Sequence, residues 1–212
     1  MKKHGILLGL IAAVVVTPVF GENCTVAEGK ADGRSGAKAE VVRVILVRGR
    51  AANEGCLGHE LIIGAFAIKV QLPGGRTITT SLNELVKKAE LRFECGPVGI
   101  TFLDLTHDGR RCFGLSEVSC GANAFYRFFA ISPDGNVKLL RFAPPPDGCY
   151  ILGNDTVPYH DSLRDSLRET PDGFEADTFN NADDKVHTSV FRWVPENDIF
   201  MQVAERVVNA WR

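Results

Sequence analysis

The sequence predicts a mainly β protein, an antiparallel meander carrying one or two short helices. Apolar runs of strand length alternate with clusters of Gly, Pro, Asn and Asp along most of the chain. The stretch from Gly99 to Phe142 holds three such turns in succession. Only the segment after Ser81 combines helical apolar spacing with a start signal.

The 212 residues suffice for one domain with a sizeable core and barely for two. Hydrophobic residues make up 45% and charged residues 24%, which places the chain among ordinary globular proteins. The formal net charge is −2 and no basic run or face occurs, so nothing supports a nucleic-acid partner. Lys2 and Lys3, the apolar run Ile6 to Val16 and a small residue at Gly21 form the pattern of a secretory signal peptide over 1–21. An uncleaved anchor is the other reading, but the apolar run is short for a membrane span. Gly21-Glu22-Asn23 lacks the lead-in of a lipoprotein site before Cys24, so no lipid is expected. Loss of Lys2 and Lys3 leaves 22 basic residues against 26 acids, a formal charge of −4. The expected location is periplasmic or secreted, with no membrane contact after cleavage.

Residues 22–38 are rich in Gly, Ala, Lys and Ser without apolar period and read as a flexible lead-in. Their Gly-Lys and Gly-Arg-Ser pieces do not have the spacing of a phosphate loop. A single β-rich domain follows over 39–212. Ala39 to Val47 is a strand, and 48–58 a polar loop. His59 to Leu72 is a longer strand, apolar on both faces as for a strand covered on both sides. Pro73-Gly74-Gly75 turns the chain into a strand over Arg76 to Thr80. Ser81 with Glu84 is a capping box, and Leu82, Leu85, Val86 and Ala89 give a helix of two to three turns. Leu91 to Cys95 is a short strand. In Ala124 to Ser132, Tyr126, Phe128 and Ala130 point one way, and Phe125, Phe129 and Ile131 the other with Arg127, which suits the middle of a sheet. Pro133-Asp134-Gly135-Asn136 is a hairpin turn into Val137 to Phe142, and Pro144-Pro145-Pro146 stops pairing. Asp161 to Arg168 makes one short exposed helix at most. Phe174 to Phe179 and Thr188 to Val194 are strands separated by a polar acidic loop. The segment from 198 to 212 fits strand and helix spacing; a strand passing into a terminal helical turn is favoured, because a strand and turn precede it.

All six cysteines follow the cleavage point, and an even count in a secreted chain predicts disulfides. Fifteen pairings are open; the working assignment joins Cys24–Cys56, Cys95–Cys112 and Cys120–Cys149. One free nucleophilic thiol is the alternative. No C-x-x-C occurs, which argues against zinc ribbons and thioredoxin-like sites.

Asp104, Thr106 and Asp108, followed by Gly109, place oxygen ligands at i, i+2 and i+4, the spacing that wraps a loop around calcium. The Arg110 carbonyl would supply a fourth ligand. The loop is incomplete: Leu115 stands where an EF-hand needs its last acid, and Cys112 where a shorter loop needs one. Calcium is therefore the one cofactor suggested, and the missing acid weighs against it. The bland alternative is a hairpin turn in which Asp104 bonds loop amides. His59-Glu60-Leu61 lacks the second His of a metalloprotease motif, since position 63 is Ile. Gly114-Leu115-Ser116-Glu117-Val118 lacks the final Gly of a nucleophile elbow. His107, His160 and His187 read as exposed loop or strand-end residues. No catalytic residue is assigned, and the chain is not expected to be an enzyme.

Phe102-Leu-Asp104-Leu-Thr106-His-Asp108-Gly109, running into a strand and then Cys120-Gly121-Ala122 and an aromatic strand, resembles the FG-GAP, integrin-α-type calcium-loop repeats of β-propellers. It looks most like a periplasmic bacterial group, some of whose members inhibit peptidoglycan-cleaving enzymes as immunity proteins. Phe191-Arg192-Trp193 also suits that group. The likeness covers mainly residues 90–142 and, more loosely, 174–204. It implies partial or irregular propeller-like sheet packing and a non-catalytic binding role toward a cell-wall hydrolase. Contact would fall on His107, Asp108, Arg110 and Arg111 in one loop and on Asp183 and Asp184 in another. An envelope enzyme of unrecognised type and a structural envelope protein with a vestigial calcium loop are the alternatives. Mass spectrometry of the secreted protein should find Glu22 at its N-terminus; an intact Met1 in the envelope fraction would refute the cleavage.

Overall fold

The computed structural model describes residues 24–31, 40–52, 60–94, 96, 98–117, 123–143, 157–160, 166–180 and 182–209. The expected signal peptide, the triple proline, residues 161–165 of the expected short helix, and Cys56, Cys95, Cys120 and Cys149 lie outside these residues. The described chain is mainly β, with one short helix, several sheets rich in antiparallel pairs and no closed barrel. The first sheet takes β1 (Thr25–Ala31), β2 (Glu40–Ala52), β3 (Leu61–Gln71), β4 (Thr77–Ser81), β5 (Leu91–Glu94) and β6 (Val98–Gly99). Its order is β4-β3-β2-β1-β6, with β5 also on β3. The second takes β7 (Phe102–Leu103), β8 (Arg111–Ser116), β9 (Asn123–Ile131), β10 (Val137–Leu139) and β12 (Val157–His160). There β7 to β10 are a plain meander, and β12 joins β9. The third takes β11 (Arg141–Ala143), β13 (Leu167–Thr170), β14 (Gly173–Asn180), β15 (Lys185–Val194) and β16 (Ile199–Asn209), in the order β11-β16-β15-β14-β13.

The expected two-sided apolar strand is the centre of the molecule. Phe129 and Ile131 of β9, with Phe113 and Leu115 of β8, enter a first core against Val42, Val44, Phe66 and Ile68 of the first sheet. Phe128 and Ala130, with Cys112, enter a second core against Phe174, Phe191 and Phe200 of the third sheet. Strand side chains alternate with period two, so one strand pair feeds both cores. Phe113 stacks on Phe129 with ring centroids 5.4 Å apart. On the other side Phe128 lies 5.5 Å from Phe174, which stacks on Phe191 at 4.8 Å.

Several expectations change. Residues 48–52, expected as loop, continue β2 to Ala52. The lead-in holds a strand: β1 lies between β2 and β6, with Val26 and Ala27 buried. Its small residues are what permit this. A Cβ on Gly29 would stand 2.6 Å from Ile100. The helix is shorter than two turns, since α1 covers only Leu82–Val86. Ser81 caps it by accepting from the Glu84 N–H, but Lys87 adopts the left-handed conformation at φ 56° and ends it before Ala89. The hairpin strand expected to Phe142 pairs with β9 only through Leu139; Leu140 turns inward, and β11 crosses to the third sheet beside β16 in parallel. Leu167 and Arg168, placed in an exposed helix, belong to β13, with Leu167 buried. The C-terminal ambiguity resolves as strand through Asn209.

Asn83 holds the seam of the first sheet. β4 pairs with β3 from Ala67 onward, and β5 pairs with β3 up to Gly64, so one edge of β3 loses its partner between them. The Asn83 side chain fills that gap. Its Oδ1 accepts from the Phe66 N–H at 2.7 Å, and its Nδ2 donates to the carbonyls of Gly64, Lys88 and Ala89 at 3.1–3.3 Å. Removing one partner of a half-buried backbone group leaves that group unsatisfied. Asn83→Ala should therefore lower unfolding free energy by about 1–3 kcal/mol in urea titration. A loss within experimental error would contradict this bridging role.

Candidate functional site

The loop from Asp104 to Arg110 joins β7 to β8. Leu105, fully buried in the second core, and Thr106, also buried, pin its middle from within. The intervening polar residues face solvent and order the backbone locally. Asp104 Oδ1 accepts from the His107 N–H at 3.2 Å, and Asp108 Oδ1 accepts from the Arg110 N–H at 3.1 Å, as short acidic side chains do in turns. His107 sits at φ 52° and Gly109 at φ 82°, the latter a conformation that glycine adopts at little cost.

The loop is also tied to the third sheet. The Asp104 N–H donates to Glu169 Oε1 at 2.7 Å. His107 Nε2–H donates to the Thr170 carbonyl at 2.7 Å, which fixes the ring tautomer. Arg110 reaches furthest. Its Nε and Nη2 grip Asp108 Oδ2 at 2.8 and 2.6 Å, and its Nη1 donates to Asp198 Oδ1 at 2.8 Å. Asp198, in the β15–β16 turn at φ 52°, also pairs with Lys138 of β10. The guanidinium lies over the Trp193 ring, 4.9 Å from its centroid, a cation–π contact. Trp193 Nε1 is buried beneath with no acceptor among the described residues.

As arranged, this donor set does not fit calcium. Asp108 Oδ1 accepts the Thr106 hydroxyl at 2.7 Å as well as the Arg110 amide, and Oδ2 is taken by the guanidinium. Arg110 therefore puts positive charge where a cation would stand. Partial burial alone would raise the Asp108 pKa; the Arg110 and Thr106 bonds outweigh it and hold the carboxyl below its ordinary range. Asp104 turns its own carboxylate to the His107 amide instead.

Cys112 is a free thiol, so the expected Cys95–Cys112 bridge is not present. It faces the second core with Thr106 Oγ1 3.9 Å away. Burial pushes the thiol up to about 11, which keeps it protonated and poorly nucleophilic at neutral pH.

The structure does not bring the two expected contact loops together. Asp104 to Arg110 meets the third sheet at Thr170 and Asp198, whereas Asp183 and Asp184 form the turn at the other end of the β14–β15 hairpin. Gly173 to Asn180 separates the two ends by roughly 23 Å at the rise of an extended strand. Arg111 opens β8 opposite Ile131, half-buried rather than presented. Asp183 is engaged by His187 Nε2 at 3.0 Å and by the Lys185 N–H. Glu169 and Thr170 carry no signal in the sequence; Trp193 enters there only through Phe191-Arg192-Trp193, and Asp198 only as part of the turn before the last strand.

No protein-family model matches the chain, and comparison with curated proteins and with solved structures finds no significant match. Asp108→Ala removes charge-assisted bonds from a partly exposed group, so a loss of about 1 kcal/mol is expected. In a chain of this size that is a fall of roughly 2–4 °C in melting temperature. The fall should be equal in calcium and in chelator; a fall seen only in calcium would establish a bound ion.

Proposed function

We propose that the protein is a non-catalytic binding module of the bacterial envelope, an inhibitor or immunity protein directed at a peptidoglycan hydrolase. The observation that carries this reading is the Asp104–Arg110 loop: exposed, yet braced on two sheets. A loop ordered before binding loses little entropy when it docks. Around it lie Asp104, Asp108, Glu169 and Asp172, with Arg110 beside Asp108 and Arg192 beside Asp172. A face on which acids outnumber bases in this way suits the basic groove of an enzyme that grips an anionic polymer, and charge complementarity would speed encounter at low salt. Titratable side chains pair off, Arg110 with Asp108 and Asp198 at the loop, and elsewhere Lys88 and Arg127 with Glu117 and Arg168 with Asp177. That pattern favours a scaffold over a reaction centre, where acid and base converge on one point. The secretory pattern and the FG-GAP resemblance support the compartment and the class of partner in this reading.

The test is inhibition. Purified mature protein added to periplasmic peptidoglycan hydrolases should suppress at least one in stoichiometric fashion. Asp104→Lys with Asp172→Lys should weaken that inhibition at least about tenfold, with an unchanged circular dichroism spectrum. Failure to inhibit any hydrolase, together with turnover of a small substrate by the protein alone, would overturn the proposal in favour of an envelope enzyme.

A further inference from the structure

A histidine with a carboxylate on each ring nitrogen stands apart from the loop just described. His187, on β15, has Glu205 Oε1 of β16 2.6 Å from Nδ1 and Asp183 Oδ2 of the β14–β15 turn 3.0 Å from Nε2. A neutral imidazole has one N–H and one lone pair; only the imidazolium donates from both nitrogens. Two carboxylates in these positions therefore require the doubly protonated ring. We propose that His187 is a pH-operated clasp, fastening the β14–β15 turn to β16 while the ring carries two protons and releasing that end of the third sheet when it loses one.

The surroundings suit such a device. β16 is paired with β11 only as far as Met201, so beyond it β15 is the strand holding β16 among the described residues. Met201, Val203 and Val207 are exposed along this end, and little apolar burial secures it. Other groups of the described residues also face His187. On β14 the opposite residue is Thr178, whose hydroxyl donates to the His187 carbonyl at 3.1 Å. On β16 the opposite residue is Val207. Arg206 is drawn to Glu175, and Lys185 gives its N–H to Asp183 at 3.2 Å. Asp184 completes the turn at φ 54°. β12 lies along β14, and its titratable residues are Tyr159 and His160.

Partial burial lowers the His187 pKa, but the bonds to Glu205 and Asp183 outweigh it, so the ring titrates above the ordinary imidazole range. Its contribution is complete below the pKa of an unfolded histidine and is lost as pH rises through the raised folded value. Asp183 works in the opposite sense. Slight desolvation is outweighed by His187 and Lys185, its pKa is depressed, and its contribution disappears only as pH falls through that lowered value. The clasp is closed between these limits, open above the upper one, and independent of the binding role proposed above.

The experiment is a pH titration of the full chain by NMR, reading the His187 ring nitrogens together with amide hydrogen exchange at Val186, Thr188, Arg206 and Val208. Exchange is corrected for its intrinsic pH dependence. His187 should titrate above a histidine in an unstructured peptide in the same buffer, with both nitrogens protonated below the midpoint. Protection at the four amides should fall at least about tenfold across that midpoint. His187→Gln should lack the step, and Asp183→Asn should move the midpoint down. A midpoint at or below the peptide's, or an unchanged step in His187→Gln, would overturn the proposal.

Discussion

β8 and β9 pair from Arg111 opposite Ile131 to Ser116 opposite Tyr126, and their side chains leave the sheet alternately toward two cores. This double burial is the constraint on which the remaining architecture depends. A sheet apolar on both faces must be covered twice, and the chain supplies one cover from its N-terminal strands and one from its C-terminal hairpins. Phe128 and Phe129 are adjacent in sequence and lie in different cores. Truncating either phenyl ring removes contacts worth about 3–5 kcal/mol, a large share of the net stability of a domain. The crossing at Leu140 serves the same end, carrying β11 from the middle sheet to β16 while Phe142 seals the second core.

The loop at Asp104 inherits its geometry from that arrangement. Leu105 plugs the second core, Arg110 spans from the middle sheet to the β15–β16 turn, and Trp193 forms the surface on which the guanidinium rests. Calcium loops use a cation to gather acidic side chains; here a residue of the chain does it. The arginine is covalently placed, carries one charge instead of two, and bonds Asp108 and Asp198 with directional N–H groups. Order in such a loop rests on groups of the chain itself.

Much of this was legible in the sequence because it is local or periodic. The alternation in Ala124 to Ser132 gave the two-faced strand, Pro133 to Asn136 the hairpin, and Ser81 the start of a helix. What escaped depends on contacts distant in the chain. β1 looks like a linker because Ala27 and Gly29 have little apolar character; two neighbouring strands and Ile100 define it. The helix stops early where Lys87 turns left-handed and the Asn83 side chain takes the Lys88 and Ala89 carbonyls, which no helical wheel reveals. At the candidate site, spacing identified the acids of the loop but not their partner, since Arg110 meets Asp198 across 88 positions of sequence. The disulfide reading failed at Cys112 because cysteine count reports a compartment, whereas core packing decides whether one thiol meets another.

If one strand pair feeds both cores, damage to the first must be felt in the second. Val44 lies in the first core, and Trp193 lines the second. Urea unfolding of Val44→Ala in a Trp211→Phe background, which leaves Trp193 as the one indole, followed in parallel by tryptophan fluorescence and far-ultraviolet circular dichroism, tests this directly. The fluorescence and dichroism midpoints should coincide and shift together from wild type. A fluorescence transition that stays at the wild-type midpoint while dichroism moves would show that the two cores unfold independently, and would contradict the shared middle sheet as the organising constraint.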